Sequence, residues 1–522
     1  MNDTEPRTSN FGKWMALTAA LLGWLFDGLE MGLFPLVQKP ALDELVGASN
    51  STLWIGIITS LFLVGAATGG VLFGWLGDRI GRVRSMMLSV VTYAVVSGLC
   101  GFASEAWQIG ALRFFAALGM GGEWSLGVAL INEIWPDRSR AFLAGLIGAA
   151  ANVGYLLIAA VGYGVVKQIT QLGDVLLSIG LPSDWVEHLL KNEGWRFLMM
   201  LGAVPALLTF FIRWFVPESE KWERERGKGA TSHWATRDLI SVFIGAIAVC
   251  GIIALWAVRW QRFLADDHEE IYDYLIFGLQ VVGSLIGFVI VTWGYTYPVL
   301  CYLKRAEASG QVGSDWKPML KRMLLAATLS GVALLGTWGT IQHAPKWSGD
   351  LVQKERAAYT PEELKTPPPP AKEWTQIATA LGAIVGTIAA AMLGGWLGRR
   401  ITYFFLCIGS FVSLQLFFQT CTVFDNKFLA LACLGGAISA SFYGWLPLYL
   451  PELFPTAIRA TGQGFGFNFG RILAAVGVLQ LSNLQALFSD LPHACAALSC
   501  IYVVGIIVIW FVPETKGQPL PD

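Results

Sequence analysis

Charge is scarce in this 522-residue sequence: Asp, Glu, Lys and Arg make up 14% of it, against roughly a quarter in soluble globular proteins. The net charge is −1, and no basic stretch with interleaved aromatics occurs, so nothing points to nucleic acid. A phosphate-binding Gly-x-x-x-x-Gly-Lys-Ser/Thr loop is absent, which leaves ATP-driven work without support. The eight cysteines (100, 250, 301, 407, 421, 433, 495 and 500) form no Cys-x-x-Cys pair and fall mostly in apolar runs. They read as small buried hydrophobes, which excludes a disulfide framework and a metal cluster. Histidine is rarer still: His188, His233, His268, His343 and His493 lie in or beside loops. No metal centre, cofactor or nucleophile–base constellation is expected, so the chain does not read as an enzyme.

What is abundant is apolar surface. Hydrophobic residues make up 55% of the chain and come in repeated runs of about 20, each long enough for a helix to cross a ~30 Å hydrocarbon core. The runs are continuous rather than alternating, which excludes a barrel. Fourteen spans are expected, near 14–37, 53–77, 85–102, 107–132, 141–165, 195–216, 238–258, 273–301, 319–342, 374–397, 401–420, 428–450, 460–481 and 493–512. The N-terminal MNDTEPRTSNFGK is short and polar and leads into a full-length span, unlike a signal peptide.

An even span count puts both termini on one side, and positive charge selects the side. With the N-terminus inside, DRIGRVR (78–84), DRSR (137–140), EKWERERGK (220–228) and GRR (398–400) all face the cytoplasm. The expectation is a multi-pass protein of the plasma or inner membrane with cytoplasmic termini. Outside, 343–372 with its TPPPP reads as a stiff extended connection, and 166–194 as a long loop.

The chain also repeats itself. FVPES (215–219) returns as FVPET (511–515), GWLGDR (74–79) as GWLGRR (395–400), and Glu133-x-x-Pro136-x-x-x-Arg140 as Glu452-x-x-Pro455-x-x-x-Arg459. Three repeats in the same order imply two similar six-helix bundles, 1–220 and 318–522. Between them, 221–317 is an insert carrying two further spans, which could face lipid, pack beside the bundle or mediate oligomers.

These residues resemble the major facilitator superfamily over nearly the whole chain outside the insert. Gly74-x-Leu76-x-Asp78-Arg79-x-Gly81-Arg82 is similar to the family's signature between helices 2 and 3. There Gly permits a tight turn and Asp with Arg gives a charge-assisted lock. In the second copy Arg399 stands opposite Asp78, and Thr402 and Tyr403 opposite Gly81 and Arg82. The lock is therefore expected to be stronger in the first half. Arg113-Phe-Phe-Ala-Ala-Leu-Gly119-Met-Gly121 resembles a second superfamily motif, and PES and PET resemble those of sugar and organic-acid porters. The acids of FDGLE (26–30) and the stretch PELFPTAIRATGQGFGFNFGR (451–471) resemble aromatic-acid and sialate:proton symporters. Fourteen spans with a central pair resemble the sialate branch. On helix 7, Thr337-Trp338-Gly339-Thr340-Ile341-Gln342 departs from the lactate and pyruvate motif, lacking its His and Asp. GLIGAAANVGYLL (145–157) lacks the Gly-Pro of drug antiporters.

Intramembrane charges are costly and usually functional. At ~1.5 Å per residue, Asp27 falls near mid-membrane, with Glu30 and Arg113 at a common depth nearer the outer face. The expected arrangement is a Glu30–Arg113 pair beside Asp27 as the proton-binding carboxyl. Alternatively, both acids only hold helices together. Glu123 reads equally as a second proton site or a structural partner. Arg471 lies close to mid-membrane and, with Asn468, is expected to hold an anionic substrate group; guanidinium forks onto a carboxylate bidentately. Its alternative is a pair with an acid of a neighbouring helix. Asn152, Tyr155, Trp338, Gln342, Tyr443 and Trp445 read as polar or stacking contacts, or as packing. Gly74, Asp78, Arg79, Gly81, Arg82, Glu133, Arg140, Glu452 and Arg459 are assigned to the cytoplasmic latch.

The resulting expectation is a proton-coupled symporter importing an organic acid or sugar acid by alternating access. Its partners are a small-molecule substrate, the proton and the lipid bilayer, with oligomeric state open. A neutral-sugar symporter or uniporter and a transporter-like nutrient sensor are the alternatives.

Overall fold

The computed structural model describes residues 9–135, 139–258, 269–309, 316–360, 368–488 and 490–521, and among them every regular element is helical. The first half comprises α1 (Asn10–Val46), α2 (Ala48–Ile80), α3 (Arg82–Leu99), α4 (Ala106–Ile134), α5 (Arg140–Lys167), α6 (Ile169–Ser178), α7 (Ser183–Leu201) and α8 (Leu208–Phe215). A short α9 (Glu220–Gly227) leads to the inserted α10 (Leu239–Ala257) and α11 (Glu269–Ala308). The second half opens with α12 (Trp316–Trp338), α13 (Ala344–Arg356), α14 (Ala371–Leu397), α15 (Arg399–Thr420) and α16 (Asn426–Ser439). It closes with α17 (Phe442–Tyr449), α18 (Arg459–Asn468), α19 (Gly470–Phe488), α20 (Leu491–Leu498) and α21 (Ile501–Val508).

Thirteen helical segments among the described residues are long and apolar enough to span a bilayer. The fourteenth expected span, 460–481, is present as two helices: α18 ends at Asn468 and α19 begins at Gly470. Local chemistry sets several helix starts. Ser9 caps α1 by accepting from the Gly12 amide at 3.0 Å. Glu105 and Gln108 form a reciprocal capping box on α4, and Asp425 caps α16 through the Phe428 amide at 2.8 Å.

In the first half α4 is the central helix, packed on α2 and α3, while α1 lies along α5. In the second, α14 packs on α16, and α12 on α18, α19 and α21. The halves meet along two seams, α5 with α14 and α17, and α2 with α18 and α19. The inserted α10 and α11 pair with each other and lie against the second of these seams.

Two connecting segments differ from the expectation. The loop at 166–194 is a helical hairpin, with α6 turning into the start of α7. Its return passes through Asn192 and Glu193 at positive φ of 49° and 64°. Glu44 holds this turn, accepting from Asn192 at 2.6 Å, Trp195 at 2.9 Å and Arg196 at 2.8 Å. The expected extended connection 343–372 begins instead with α13, whose Pro345 lies in the first turn, where its missing N–H costs nothing. Pro136, the first two residues of 137–140, His268, and parts of the stretches WAVRWQR and TPPPP lie outside the described residues.

Candidate functional site

A cavity of about 840 Å³, its mouth included, lies between the halves. The first half walls it with Trp24 and Met31 of α1 and Asn152 and Tyr155 of α5. The second contributes Thr337, Trp338 and Gln342 from α12 and the turn beyond it, Thr379, Tyr443, Phe467 and Arg471. Trp24, Tyr155, Trp338, Tyr443 and Phe467 give the wall its aromatic faces. The charged side chain on it is Arg471, only 6% exposed. Its Nη1 is buried with no hydrogen-bond partner, and the guanidinium carbon sits 5.4 Å from the Phe467 ring centre. A buried, unmatched guanidinium nitrogen is expensive, so a ligand acceptor placed there gains what the protein itself leaves unmet.

Asn468 does not share that face. Its amide nitrogen donates to the carbonyls of Gly121 and Gly464, each at 3.0 Å, so it braces α4 against α18 away from the cavity. Trp445 is likewise buried in packing, its indole donating to the Arg399 carbonyl at 3.0 Å.

The opening acids separate into two groups. Glu30 accepts from Arg113 and, at 2.6 Å, from Ser97. Arg113 also faces the rings of Phe62 at 4.4 Å and Phe34 at 5.1 Å. This pair is enclosed, with both bonds on Oε1 of Glu30, while Oε2 of Glu30 and Nε of Arg113 are buried without a hydrogen-bond partner. Asp27 is different: it interacts electrostatically with Glu123 and, across the halves, with Arg471. Oδ1 of Asp27 and both carboxyl oxygens of Glu123 are buried without a hydrogen-bond partner. The Glu123 carboxylate lies over Gly23, one turn before Asp27, in space that any side chain at 23 would fill. Neither carboxyl is among the residues that line the cavity. Below them Trp124 stacks on Phe467 at 3.9 Å and 11°, joining the halves under the cavity.

Beneath that stack, at the end bearing the termini, lies a buried ion network with approximate two-fold symmetry. Glu133 receives Arg82 of its own half at 3.0 Å, Arg459 of the other half at 3.1 Å, and the Ser219 hydroxyl at 2.5 Å. Glu452 receives Arg399 of its own half at 2.6 Å, Arg140 of the other half at 3.0 Å, and the Thr515 hydroxyl at 2.5 Å. Each Arg also reaches back to a carbonyl five residues earlier, Gly77 for Arg82 and Gly394 for Arg399. The helices they begin, α3 and α15, each start after a glycine at positive φ, Gly81 at 113° and Gly398 at 105°, a conformation that costs glycine little.

The repeated PES and PET supply the remaining parts. Glu218 accepts from the amides of Arg82 and Val83, and Glu514 from those of Arg399 and Arg400, so each acid sits on the positive end of a helix. Burial pushes the Glu218 carboxyl above its ordinary range. At Glu514 burial pushes the same way, but the amides of Arg399, Arg400 and Lys516 outweigh it and hold that carboxyl below.

The second lock is therefore not degraded. Arg399 occupies the place of Arg82, and the position matching Asp78 is Gly395. Asp78 breaks the symmetry: besides Arg82 at 2.7 Å, it accepts from the Thr461 amide at 2.8 Å and hydroxyl at 2.6 Å, tying α2 to the start of α18. Arg79, assigned to the latch from sequence, lies outside the network and donates to Thr236 at 2.6 Å. Gly74 contributes close packing of α2 on the Ala460–Thr461 backbone. At the opposite end the halves are joined more lightly. Tyr155 donates to Gln342 at 3.2 Å, and Gln376 to the Tyr155 carbonyl at 3.4 Å.

A family model described as sugar (and other) transporter matches residues 15–239 and 374–522. The chain belongs to this family of the major facilitator superfamily. It is a polytopic membrane transporter, not an enzyme. The unmatched interval, 240–373, takes in α11 and all of α10 but its first residue. The chain is 25% identical to the cis,cis-muconate transport protein of Acinetobacter baylyi, over 99% of this chain and 98% of that protein. It is 26% identical to a putative metabolite transport protein of Haemophilus influenzae, over 98% and 99%. It is 22% identical to the niacin transporter NiaP of Acinetobacter baylyi, over 96% and 93%. Among solved structures, it shares the fold of the proton:xylose symporter XylE, with a TM-score of 0.64, 18% identity and 98% of both chains covered.

Several residues of this transporter's site escaped the sequence reading: Trp24, Phe467 and Thr337 on the cavity wall, and Arg399, Ser219 and Thr515 in the network. Trp24 stands one turn before Asp27, and Ser219 and Thr515 are the last letters of the repeated PES and PET. Position in a repeat was the available signal.

Proposed function

We propose that this transporter imports a small organic acid together with a proton, by alternating access of the halves 1–220 and 318–522, from a plasma or inner membrane with both termini cytoplasmic. The observation that carries the reading is Arg471, buried on the cavity wall with Nη1 unbonded. It offers a carboxylate a charge-assisted hydrogen bond, while Trp24, Tyr155, Trp338, Tyr443 and Phe467 offer flat faces to an unsaturated or aromatic body. The relatives named for muconate and niacin agree with a small planar acid.

Coupling follows from Asp27. When its carboxyl is ionised, it competes with the substrate for the charge of Arg471; when it takes a proton, Arg471 is released to the substrate carboxylate. Glu123 beside it makes a second negative charge costly and so favours a shared proton. Glu30 pairs with Arg113 and so ties α1 to α4.

The structure represents the state closed at the terminus-bearing end. Ion pairs hold that end, and breaking a buried pair costs about 3–5 kcal/mol. The Tyr155 and Gln376 bonds at the other end contribute about 1 kcal/mol each. The outer end is therefore the easier one to open.

A neutral-sugar reading draws on the amides of Asn152 and Gln342 in the same cavity. Purified protein in liposomes holding a pH-sensitive dye separates the two. Internal acidification on adding carboxylates, beyond that of protein-free liposomes and absent for neutral sugars, supports acid symport. Acidification by neutral sugars alone removes the role of Arg471.

A further inference from the structure

The inserted helices lie against both halves, and at Tyr295 one side chain meets both. Tyr295 of α11 is fully buried, and its hydroxyl lies 2.7 Å from Thr68 Oγ1 of α2 in the first half. Its ring meets Phe469 of the second half edge to face, centroids 6.5 Å apart at 84°. Phe469 is the joint between α18 and α19, two residues before Arg471. Behind the ring α10 comes close at Gly245, whose hydrogen takes the place a Cβ would need 2.7 Å from Tyr295. Ser241 of α10 fixes the crossing by donating to the Gly294 carbonyl at 2.8 Å.

The base of the insert is fastened as well. Arg79 at the end of α2 donates to Thr236 at 2.6 Å, and Asp238 pairs with Arg305, joining the start of α10 to the end of α11. Trp234 stacks on Tyr302 at 4.5 Å in the same region. These described polar contacts run to the first half or stay within the insert, whereas contact with the second half at Phe469 is aromatic. The seam beneath is the one where Gly74 packs on Ala460 and Thr461, and Asn468 on Gly70. It has to part when the terminus-bearing end opens.

From this arrangement we propose that the inserted pair is a strap across the α2–α18/α19 seam. Tyr295 is its clip, hydrogen-bonded to Thr68 and seated on Phe469, and it favours the state closed at the terminus-bearing end. The inference rests on the reading that the halves alternate, and it needs no particular substrate. A chain without the pair lacks this restraint, so the insert sets how readily the transporter opens inward. Tyr295 is a positioning residue, since it touches neither the cavity wall nor the acids.

The test uses the full chain in detergent or liposomes without substrate. Ser125, buried on α4 against Gly464 of the second half, is replaced as Ser125→Cys, and its alkylation by a membrane-impermeant maleimide is followed by peptide mass spectrometry. Tyr295→Phe removes the bond to Thr68, and Thr68→Val removes that bond together with its own bond to the Val64 carbonyl within α2; both keep the shape nearly constant, and each is expected to speed alkylation at least threefold. Glu133→Gln, which weakens the ion network directly, is the positive control for opening. If both clip variants label within 1.5-fold of the parent while Glu133→Gln labels faster, the strap is refuted. If Thr68→Val speeds labelling and Tyr295→Phe does not, the hydroxyl bond is not the clip and the proposal also fails. Because no substrate enters, failure here leaves the acid-symport reading standing, and failure of that reading leaves the strap standing.

Discussion

Arg399 stands in the second half where Arg82 stands in the first: each begins a helix after a glycine at positive φ, grips the glutamate of its own half and reaches back five residues to a glycine carbonyl. Arg459 and Arg140 then cross between the halves to the same two glutamates. The end of the transporter that bears the termini is thus held by two corresponding clusters, the first of which carries Asp78 in addition.

Two corresponding clusters predict that both ends of the network matter, with Asp78 adding to the first. Arg82→Ala and Arg399→Ala should each lower thermal stability by several degrees, because each breaks a buried ion pair at a cost of about 3–5 kcal/mol, and Arg82→Ala by more, since it also removes the partner of Asp78. Arg79→Ala, with its half-exposed side chain outside the network, should change it by no more than about 0.5 kcal/mol. A thermal-shift series on the three variants is enough. An Arg399→Ala variant as stable as the parent would contradict a second cluster.

Arg471 and Asn468 should separate cleanly. Arg471→Ala is expected to raise the KM for acids by about 10- to 100-fold, from the loss of a charged hydrogen bond of about 1.5–3 kcal/mol. Asn468→Ala should reduce stability and yield with little change in KM, since its amide holds α18 to Gly121. Uptake kinetics alongside melting curves distinguish the two. An Asn468→Ala variant that is stable but cannot bind would contradict the placement.

Asp27→Asn removes the titrating carboxyl while keeping its shape. Uptake driven by a proton gradient should fall by at least tenfold and lose its dependence on pH. Exchange of labelled for unlabelled substrate at equal pH on both sides should persist, because Arg471 no longer has an ionised competitor. Glu123→Gln should shift the pH dependence without abolishing it. Gradient-driven uptake in Asp27→Asn that still follows pH would move the proton site elsewhere.

The helical architecture was legible because hydrocarbon demands long apolar runs, and the two-fold repeat was legible in PES, PET and the Glu–Arg spacing. The lock was misregistered by one helical turn. The strings GWLGDR and GWLGRR match letter for letter, yet Trp75 is buried and Trp396 is 73% exposed. The equivalent pattern is Gly77-x-x-x-Gly81-Arg82 with Gly394-x-x-x-Gly398-Arg399, which repeats the backbone requirement rather than the side chains. Asn468 was misplaced for a related reason. The joint at Phe469 interrupts the 3.6-residue period, so the face of Arg471 does not carry back to it. The place of the insert was beyond periodicity altogether, since a lipid-facing helix and one strapped to a seam have the same composition.

The central claim is that a carboxylate is recognised by Arg471. The most direct measurement compares binding of nicotinate and nicotinamide, and of benzoate and benzamide, to the purified transporter, read from quenching of the cavity tryptophans Trp24 and Trp338. Each pair differs chiefly in the charged group. The account predicts that an acid binds at least tenfold more tightly than its amide, and that Arg471→Ala erases the difference. Amides binding as tightly as acids, or a preference that survives Arg471→Ala, would contradict it.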